Sequence, residues 1–187
     1  MKVGVLALQG SFKDHVEMLK KCNVEPIEVR LPRDTEDIEA LIIPGGESTT
    51  IIKLLIEYQL DIIIKQRHSE GMPIYGTCAG AIVLAKEIVG SKQPTLGLMD
   101  ISVKRNAYGR QIESFEAMID IEKIGKFPGI FIRAPIIEAT SNGAKVIATL
   151  ENKAVMVEQG NILVSTFHPE LTDDVRVHKY FLSKIIR

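Results

Sequence analysis

The sequence predicts a three-layer α/β fold: a mostly parallel central sheet flanked by helices, extended by additional antiparallel strands. Three observations predict it. Short, continuously apolar runs alternate with stretches of helical periodicity through the first half. Strand-like runs joined by short polar turns fill most of the second half. Three loops rich in small or reactive residues each directly follow a predicted strand, the place where open α/β sheets build their sites.

Taken in order, Val3 to Leu8 is an unbroken apolar run, the signature of a strand buried on both faces, and Gln9-Gly10-Ser11 turns it. Phe12 to Cys22 carries Val16 and Leu19, with Phe12, Met18 and Cys22 beside them, at helical spacing. Val24 to Arg30 reads as a second strand. Ala40 to Ile43 reads as a third, stopped by Pro44-Gly45-Gly46. A helix starts near Ser48 and runs through Leu54, Leu55 and Tyr58. Pro73-Ile74-Tyr75 is a short strand, and Ala81 to Ile88 is expected to be helical. Further strands are expected at Ile101–Arg105, Phe115–Ile121, Gly129–Arg133, Lys145–Leu150, Ala154–Glu158 and Ile162–Phe167. Ile124 to Pro128 reads as a turn and Ile137 to Lys145 as a generic connection. Asp173 to Ile186 is expected to close the chain as a helix, with Val177, Tyr180, Phe181 and Ile185 on one face. No repeat, low-complexity tract or linker interrupts the 187 residues, so one domain over 1–187 is expected.

Composition narrows the function classes. Apolar residues make up 45% of the chain and charged residues 25%, ordinary values for a globular protein with a sizeable core. The balance of 23 basic and 24 acidic residues gives no electrostatic case for nucleic acid or an anionic membrane as the main partner. The first apolar run is only six residues long, too short for a signal peptide, and later ones such as Ile62 to Ile64 are far too short to span a bilayer. Two cysteines, Cys22 and Cys78, do not make a disulfide scaffold. The expectation is a reduced, cytoplasmic protein with one special thiol.

That thiol is Cys78. Gly76-Thr77-Cys78-Ala79-Gly80 follows an apolar strand and precedes a helix, the setting of a nucleophile elbow. A sharp strand-to-helix turn strains the nucleophile's backbone and demands small neighbours. The nearby helix N-terminus favours the thiolate, and the backbone N–H of Ala79 is aimed at a developing oxyanion. A cysteine without this context is usually buried and inert. Cys22, at a helix end, is read as packing.

Phe167-His168-Pro169-Glu170 follows the strand Ile162–Phe167. A histidine two residues from a glutamate, stiffened by proline, can be a base with its orienter: Glu170 fixes the tautomer of His168 and stabilises its charged form. His15 and His178 lie within helices and His68 at a polar helix end, so each is read as a packed or solvated side chain. The third loop, Pro44-Gly45-Gly46-Glu47-Ser48-Thr49, frees backbone N–H groups for close approach to a ligand but lacks phosphate-loop spacing. No paired Cys or His spacing points to a metal, and no dinucleotide fingerprint follows the first strand.

Together, the elbow, the glycine loop and His168-Pro169-Glu170 resemble the class I glutamine amidotransferases. Gly4-Val5-Leu6, Leu8-Gln9-Gly10, Pro44 to Thr50, Arg105 to Gln111, Ser114-Phe115-Glu116, Phe131 to Pro135 and Phe167 to Thr172 are similar to the glutaminase subunits of pyridoxal 5′-phosphate synthases, over nearly the whole chain. The resemblance implies that Cys78, His168 and Glu170 form a catalytic triad. It implies that Gly46, Glu47 and Ser48 contact L-glutamine, that Gly46 joins Ala79 in the oxyanion hole, and that Arg105, Ile132 and Arg133 bind substrate. It implies glutamine hydrolysis through a γ-glutamyl thioester, with no cofactor in that half-reaction, and delivery of ammonia to a synthase subunit. Two alternatives stand beside it. A peptidase- or deglycase-like cysteine hydrolase of the same superfamily typically carries histidine directly after the nucleophile, where this chain has Ala79. A catalytically silent binding subunit would not need the intact Cys78, His168 and Glu170 set.

Overall fold

A computed structural model describes residues 1–105 and 114–185. In chain order its elements are β1 (Lys2–Leu6), α1 (Phe12–Lys21), β2 (Glu25–Val29), β3 (Ala40–Ile43), α2 (Ser48–Glu57), α3 (Leu60–Ser69), β4 (Ile74–Thr77), α4 (Ala79–Leu84), β5 (Ala85–Ile88), β6 (Met99–Lys104), β7 (Ser114–Ile121), β8 (Gly125–Ile132), β9 (Ile136–Thr140), β10 (Lys145–Leu150), β11 (Lys153–Gln159), β12 (Ile162–Ser165) and α5 (Arg176–Leu182). Short 3-10 turns cover Pro32–Thr35 and Pro169–Leu171.

The strands join one hydrogen-bonded sheet in the order β2-β1-β3-β4-β12-β11-β10-β7-β8, with β9 also paired to β11 and β6, and β5 paired to β6. The run β2-β1-β3-β4-β12 is parallel throughout. Beyond β12 the ladders through β11, β10, β7 and β8 are antiparallel.

The apolar runs of the parallel strands split their side chains between two cores, because successive residues of a strand point to opposite faces. Leu41 and Ile43 of β3 pack with Ile51, Leu55, Leu60, Ile82 and Leu84 of α2, α3 and α4. Ala40 and Ile42 pack on the other face with Leu19 of α1 and Val177 and Phe181 of α5. All four β3 side chains are therefore fully buried, and each such Ile or Leu contributes about 1.5–3 kcal/mol of hydrophobic stabilisation.

Several expectations from sequence need correction. The helix expected over Ala81–Ile88 begins at Ala79 and ends at Leu84. Ala85 turns extended, and Ala85–Ile88 becomes β5, pairing Ile88 with Val103 of β6. Gly125 to Pro128, read as a turn, form the first half of β8. Pro128 is tolerated because β8 ends the sheet, where a missing N–H disrupts no further ladder. The connection after Ile137 contains β9. A second helix, α3, follows α2 after Gln59, whose left-handed backbone (φ 58°) separates the two. The first strand stops at Leu6 and the last at Ser165, and α5 covers only Arg176 to Leu182 of the expected closing helix. Asn106 to Gln111, part of the resemblance, and Ile186 lie outside the described residues.

Candidate active site

The carboxyl ends of β1, β3, β4 and β12 meet at one edge of the sheet, because these strands are parallel neighbours in register. Gly10, Gly45, Cys78 and His168 follow them and line one cleft of about 430 Å³. A larger hollow of about 650 Å³ opens at the other ends of the strands, beside Ile38, Met72, Pro73 and Asn161. Its lining includes neither Cys78 nor His168, so residue chemistry rather than size marks the first cleft as the candidate site.

Cys78 leaves β4 with φ 48° and ψ −102°, a conformation rare for a residue with a Cβ and one that costs about 1–3 kcal/mol. The strain is held in place on both sides. The Cys78 N–H donates to the Ser165 carbonyl of β12 at 2.8 Å, and its own carbonyl accepts from Ala81 at 3.1 Å. Ala79 is the first residue of α4, so its N–H is among those a helix cannot satisfy internally. The thiol lies 3.8 Å from the Ile132 carbonyl, and Cys78, buried at 7% exposure, lines the cleft.

His168 is placed against the same thiol. Its Nδ1 lies 2.7 Å from Glu170 Oε1, and Ser11 Oγ donates to that same oxygen at 2.8 Å. Burial disfavours an imidazolium here, but the Cys78 thiol and the Glu170 carboxylate outweigh it and raise the His168 pKa to about 10. Burial likewise opposes ionisation of Glu170, while His15 and His168 pull its pKa down to about 2. His15 is itself held below its ordinary value by burial. It therefore faces Glu170 as a neutral ring, and the cation of the pair is His168. Gly45 has to be glycine for this packing: a Cβ there would collide with Cε1 of the His168 ring and come within 3.4 Å of Cys78 Cβ.

The remaining expected residues fall around the rim, with different duties. Gly46, Glu47, Ser48, Arg105, Ile132 and Arg133 all line the cleft. The Glu47 carboxylate caps α2, accepting from the N–H groups of Thr49 at 3.1 Å and Thr50 at 2.8 Å, so only the rest of this residue is free to face a ligand. The Glu47 N–H donates to Gln9 Oε1 at 2.7 Å, and the Gly45 carbonyl accepts from Ser11 N–H at 3.0 Å, which ties the glycine loop to the end of β1. Arg105 donates from Nη1 to Gln93 Oε1 at 2.8 Å and to Thr49 Oγ1 at 3.3 Å. Arg133 follows β8 with φ 44°.

Four neighbours of the site were not legible as such: Ser11, His15, Gln93 and His178. His15 did carry a signal, since it sits three residues after Phe12 and four before Leu19 on the inward stripe of α1. Gln93 lies in a loop without periodicity, and nothing in the sequence marks it.

A thiol on a strand-to-helix turn, a carboxylate-held imidazole and a glycine loop meet at one edge of a parallel sheet, the layout of a cysteine-elbow enzyme class, and solved structures give that class a name. A crystal structure of a glutamine amidotransferase matches with a TM-score of 0.96 and 51% identity, over 99% of both chains. A chain in the structure of PurLQS from Thermotoga maritima shares the fold alone, with a TM-score of 0.69 and 18% identity over 99% of this chain and 96% of that one. The chain belongs to the SNO glutamine amidotransferase family, which matches residues 5–187. Among its relatives is pyridoxal 5′-phosphate synthase subunit PdxT of Pelotomaculum thermopropionicum, 56% identical over 189 residues that cover 100% of this chain and 96% of the relative.

Proposed function

We propose that this chain is a glutaminase, a single domain that hydrolyses the side-chain amide of L-glutamine and hands the ammonia to a pyridoxal 5′-phosphate synthase subunit. The observation that carries the reading is the strained Cys78 beside a His168 whose proton affinity is raised, against burial, by Cys78 and Glu170. The Cys78 thiolate attacks the amide carbon, and the N–H groups of Ala79 and Gly46 receive the negative charge on oxygen. The His168 imidazolium gives its proton to the departing nitrogen, so ammonia leaves and a γ-glutamyl thioester remains. His168, now neutral, takes a proton from water. The resulting hydroxide attacks the thioester, and glutamate leaves as the thiolate re-forms. Glu170 stays ionised throughout and steadies the imidazolium. Glu47, Ser48, Arg105, Ile132 and Arg133 seat the substrate. Arg105 is the cation suited to its α-carboxylate.

The partner is inferred from the relatives, which are named as synthase subunits. A reduced compartment such as the cytoplasm suits a protein whose Cys22 and Cys78 are both free thiols. Among the described residues no helix is long and apolar enough to cross a membrane.

The reading is tested by glutamate release from L-glutamine, measured with and without saturating synthase subunit. Hydrolysis that rises with the partner supports both halves of the proposal. No hydrolysis in either condition overturns it. Because Gln9 ties the glycine loop to β1 through the Glu47 N–H, Gln9→Ala is expected to lower partner-stimulated hydrolysis by about tenfold. Basal hydrolysis should fall less.

A further inference from the structure

We infer that His15, with its proton set by His178, is a positioning residue that braces Glu170 from behind and ties it to the strand carrying the nucleophile. The inference rests on the reading of Cys78, His168 and Glu170 given above. It concerns two histidines for which that mechanism has no use.

Both rings are fully buried, one on α1 and one on α5. His15 Nδ1 lies 3.0 Å from His178 Nε2. On its other side, His15 Nε2 lies 3.0 Å from Thr77 Oγ1 and 3.4 Å from Glu170 Oε2. Thr77 is the last residue of β4 and directly precedes Cys78. One ring thus touches the strand that ends at the thiol and the carboxylate that holds the base. The two oxygens of Glu170 are served differently. Oε1 accepts from His168 and Ser11, whereas Oε2 finds no hydrogen-bond partner among the described residues and is faced by His15.

The proton positions follow from which buried nitrogens are left without a partner. Among the described residues His178 Nδ1 has none. A proton there would be a buried donor with nothing to bond, far costlier than a bare lone pair in that place. The proton of His178 therefore sits on Nε2 and is donated to His15 Nδ1. That makes Nδ1 of His15 the acceptor and places its own proton on Nε2, facing Thr77 Oγ1 and Glu170 Oε2. The opposite arrangement would strand the His178 N–H and turn an imidazole lone pair towards the carboxylate. The groups that face His15 are Asp14 beside it on α1, Thr77 and the Tyr75 ring edge from β4, His178 from α5, and Glu170 and His168 from the loop after β12. Burial keeps both His15 and His178 neutral, so the order of donation, from His178 to His15 and from His15 to Thr77, persists across neutral pH, with the His15 N–H facing Glu170 Oε2 at 3.4 Å. The consequence is a carboxylate fixed in one rotamer and kept ionised, which in turn keeps His168 oriented towards Cys78.

The test compares His15→Gln, which keeps an N–H donor near the Nε2 position, with His15→Leu, which fills the space without one. Two readouts need no glutaminase activity: the His168 titration followed by NMR of histidine-labelled protein, and the pH dependence of Cys78 alkylation by iodoacetamide. The third is glutamine hydrolysis with saturating synthase subunit. His15→Leu is expected to lower the His168 pKa by at least one unit. It should also lower kcat roughly ten- to a hundredfold, the scale of a slight misplacement of a reacting group, with KM within about twofold. His15→Gln is expected to stay within about threefold of the parent in kcat and close to it in titration. If Leu and Gln give the same His168 titration and the same alkylation profile, or if Leu is the better of the two, the ring is packing only and the inference is overturned. Should His15→Leu fail to fold, His178→Leu serves in its place. It releases the tautomer of His15 without touching Glu170, and an unchanged His168 titration in that variant overturns the inference equally. A parent that hydrolyses no glutamine would sink the proposed function, while the titration and alkylation data would still decide this one.

Discussion

The two halves of the sheet are built differently, and each supplies a different part of the site. Strands β1, β3, β4 and β12 are parallel and almost wholly buried, and Ala40–Ile43, Ile74–Thr77 and Ile162–Ser165 have no exposed position at all. The antiparallel strands β7, β8 and β9 alternate or open to solvent, with Met118 63% exposed. A strand covered on both faces can offer chemistry only at its ends, and parallel neighbours put those ends together. The thiol, the imidazole and the glycine loop all come from there. The rest of the sheet contributes a wall: Ile132 and Arg133 from the end of antiparallel β8, and Arg105 just after β6, which pairs antiparallel with β9 and parallel with β5. On the proposed reading, reaction chemistry belongs to one half and much of the substrate seating to the other.

This division can be broken most directly at Cys78. Cys78→Ala is expected to lower glutamate release by roughly 10⁴-fold or more while circular dichroism and thermal unfolding stay close to the parent. Near-normal hydrolysis by a folded variant would remove the parallel half from the chemistry. Gly45→Ala comes next. Its Cβ must displace the His168 ring, and a shift of about 1 Å at a catalytic group costs on the order of a hundredfold in kcat. A variant with unchanged kcat would show that the ring has room to move.

Glu170→Gln should cost about thirtyfold in kcat, the loss of one charged hydrogen bond, and less than His168→Ala measured in the same complex. Its pH signature has a defined sign. His168 binds its proton more tightly folded than unfolded, so the stability this brings is fully present below pH 6.5 and is lost as pH rises towards about 10. Glu170 is the reverse: its contribution is present above pH 4.5 and is lost as pH falls towards about 2. Thermal unfolding of Glu170→Gln should therefore lose less than the parent on both flanks. Equal slopes would detach the carboxylate from the imidazole.

The smallest effect is expected from the wall. Arg105→Ala should raise KM for glutamine about tenfold and leave kcat within about twofold, the pattern of lost uniform binding. A fall in kcat with no change in KM would place Arg105 with the chemistry and blur the boundary between the halves.

The same boundary separates what was readable in the sequence from what was not. In the parallel half, Ala40–Ile43 is continuously apolar because both faces are covered, and glycines end it, so the strand and its loop announce themselves. In the other half, Gly125 to Pro128 contains the residues of a turn yet pairs along its length with Met118–Ile121. Ala85–Ile88 continues an apolar helix pattern yet is drawn into strand by pairing with β6. In both places a partner distant in sequence overrides local preference.

By itself, the sequence determined which side chains are candidates for reaction and that they follow buried strands. A cysteine between glycines after a buried strand, and a histidine and glutamate around a proline after another, identify themselves by local rules of backbone strain and side-chain chemistry. Only the tertiary structure decided how they are supported. His15 and His178 are 163 residues apart and meet at 3.0 Å, and Gln93 reaches Arg105 and Thr49 from a loop with no pattern. Such contacts depend on how α1, α5 and the loops pack on the sheet. A fully buried histidine obeys the same local spacing whether it merely fills a core or orders a carboxylate, and what distinguishes the two is the set of nitrogens left without partners.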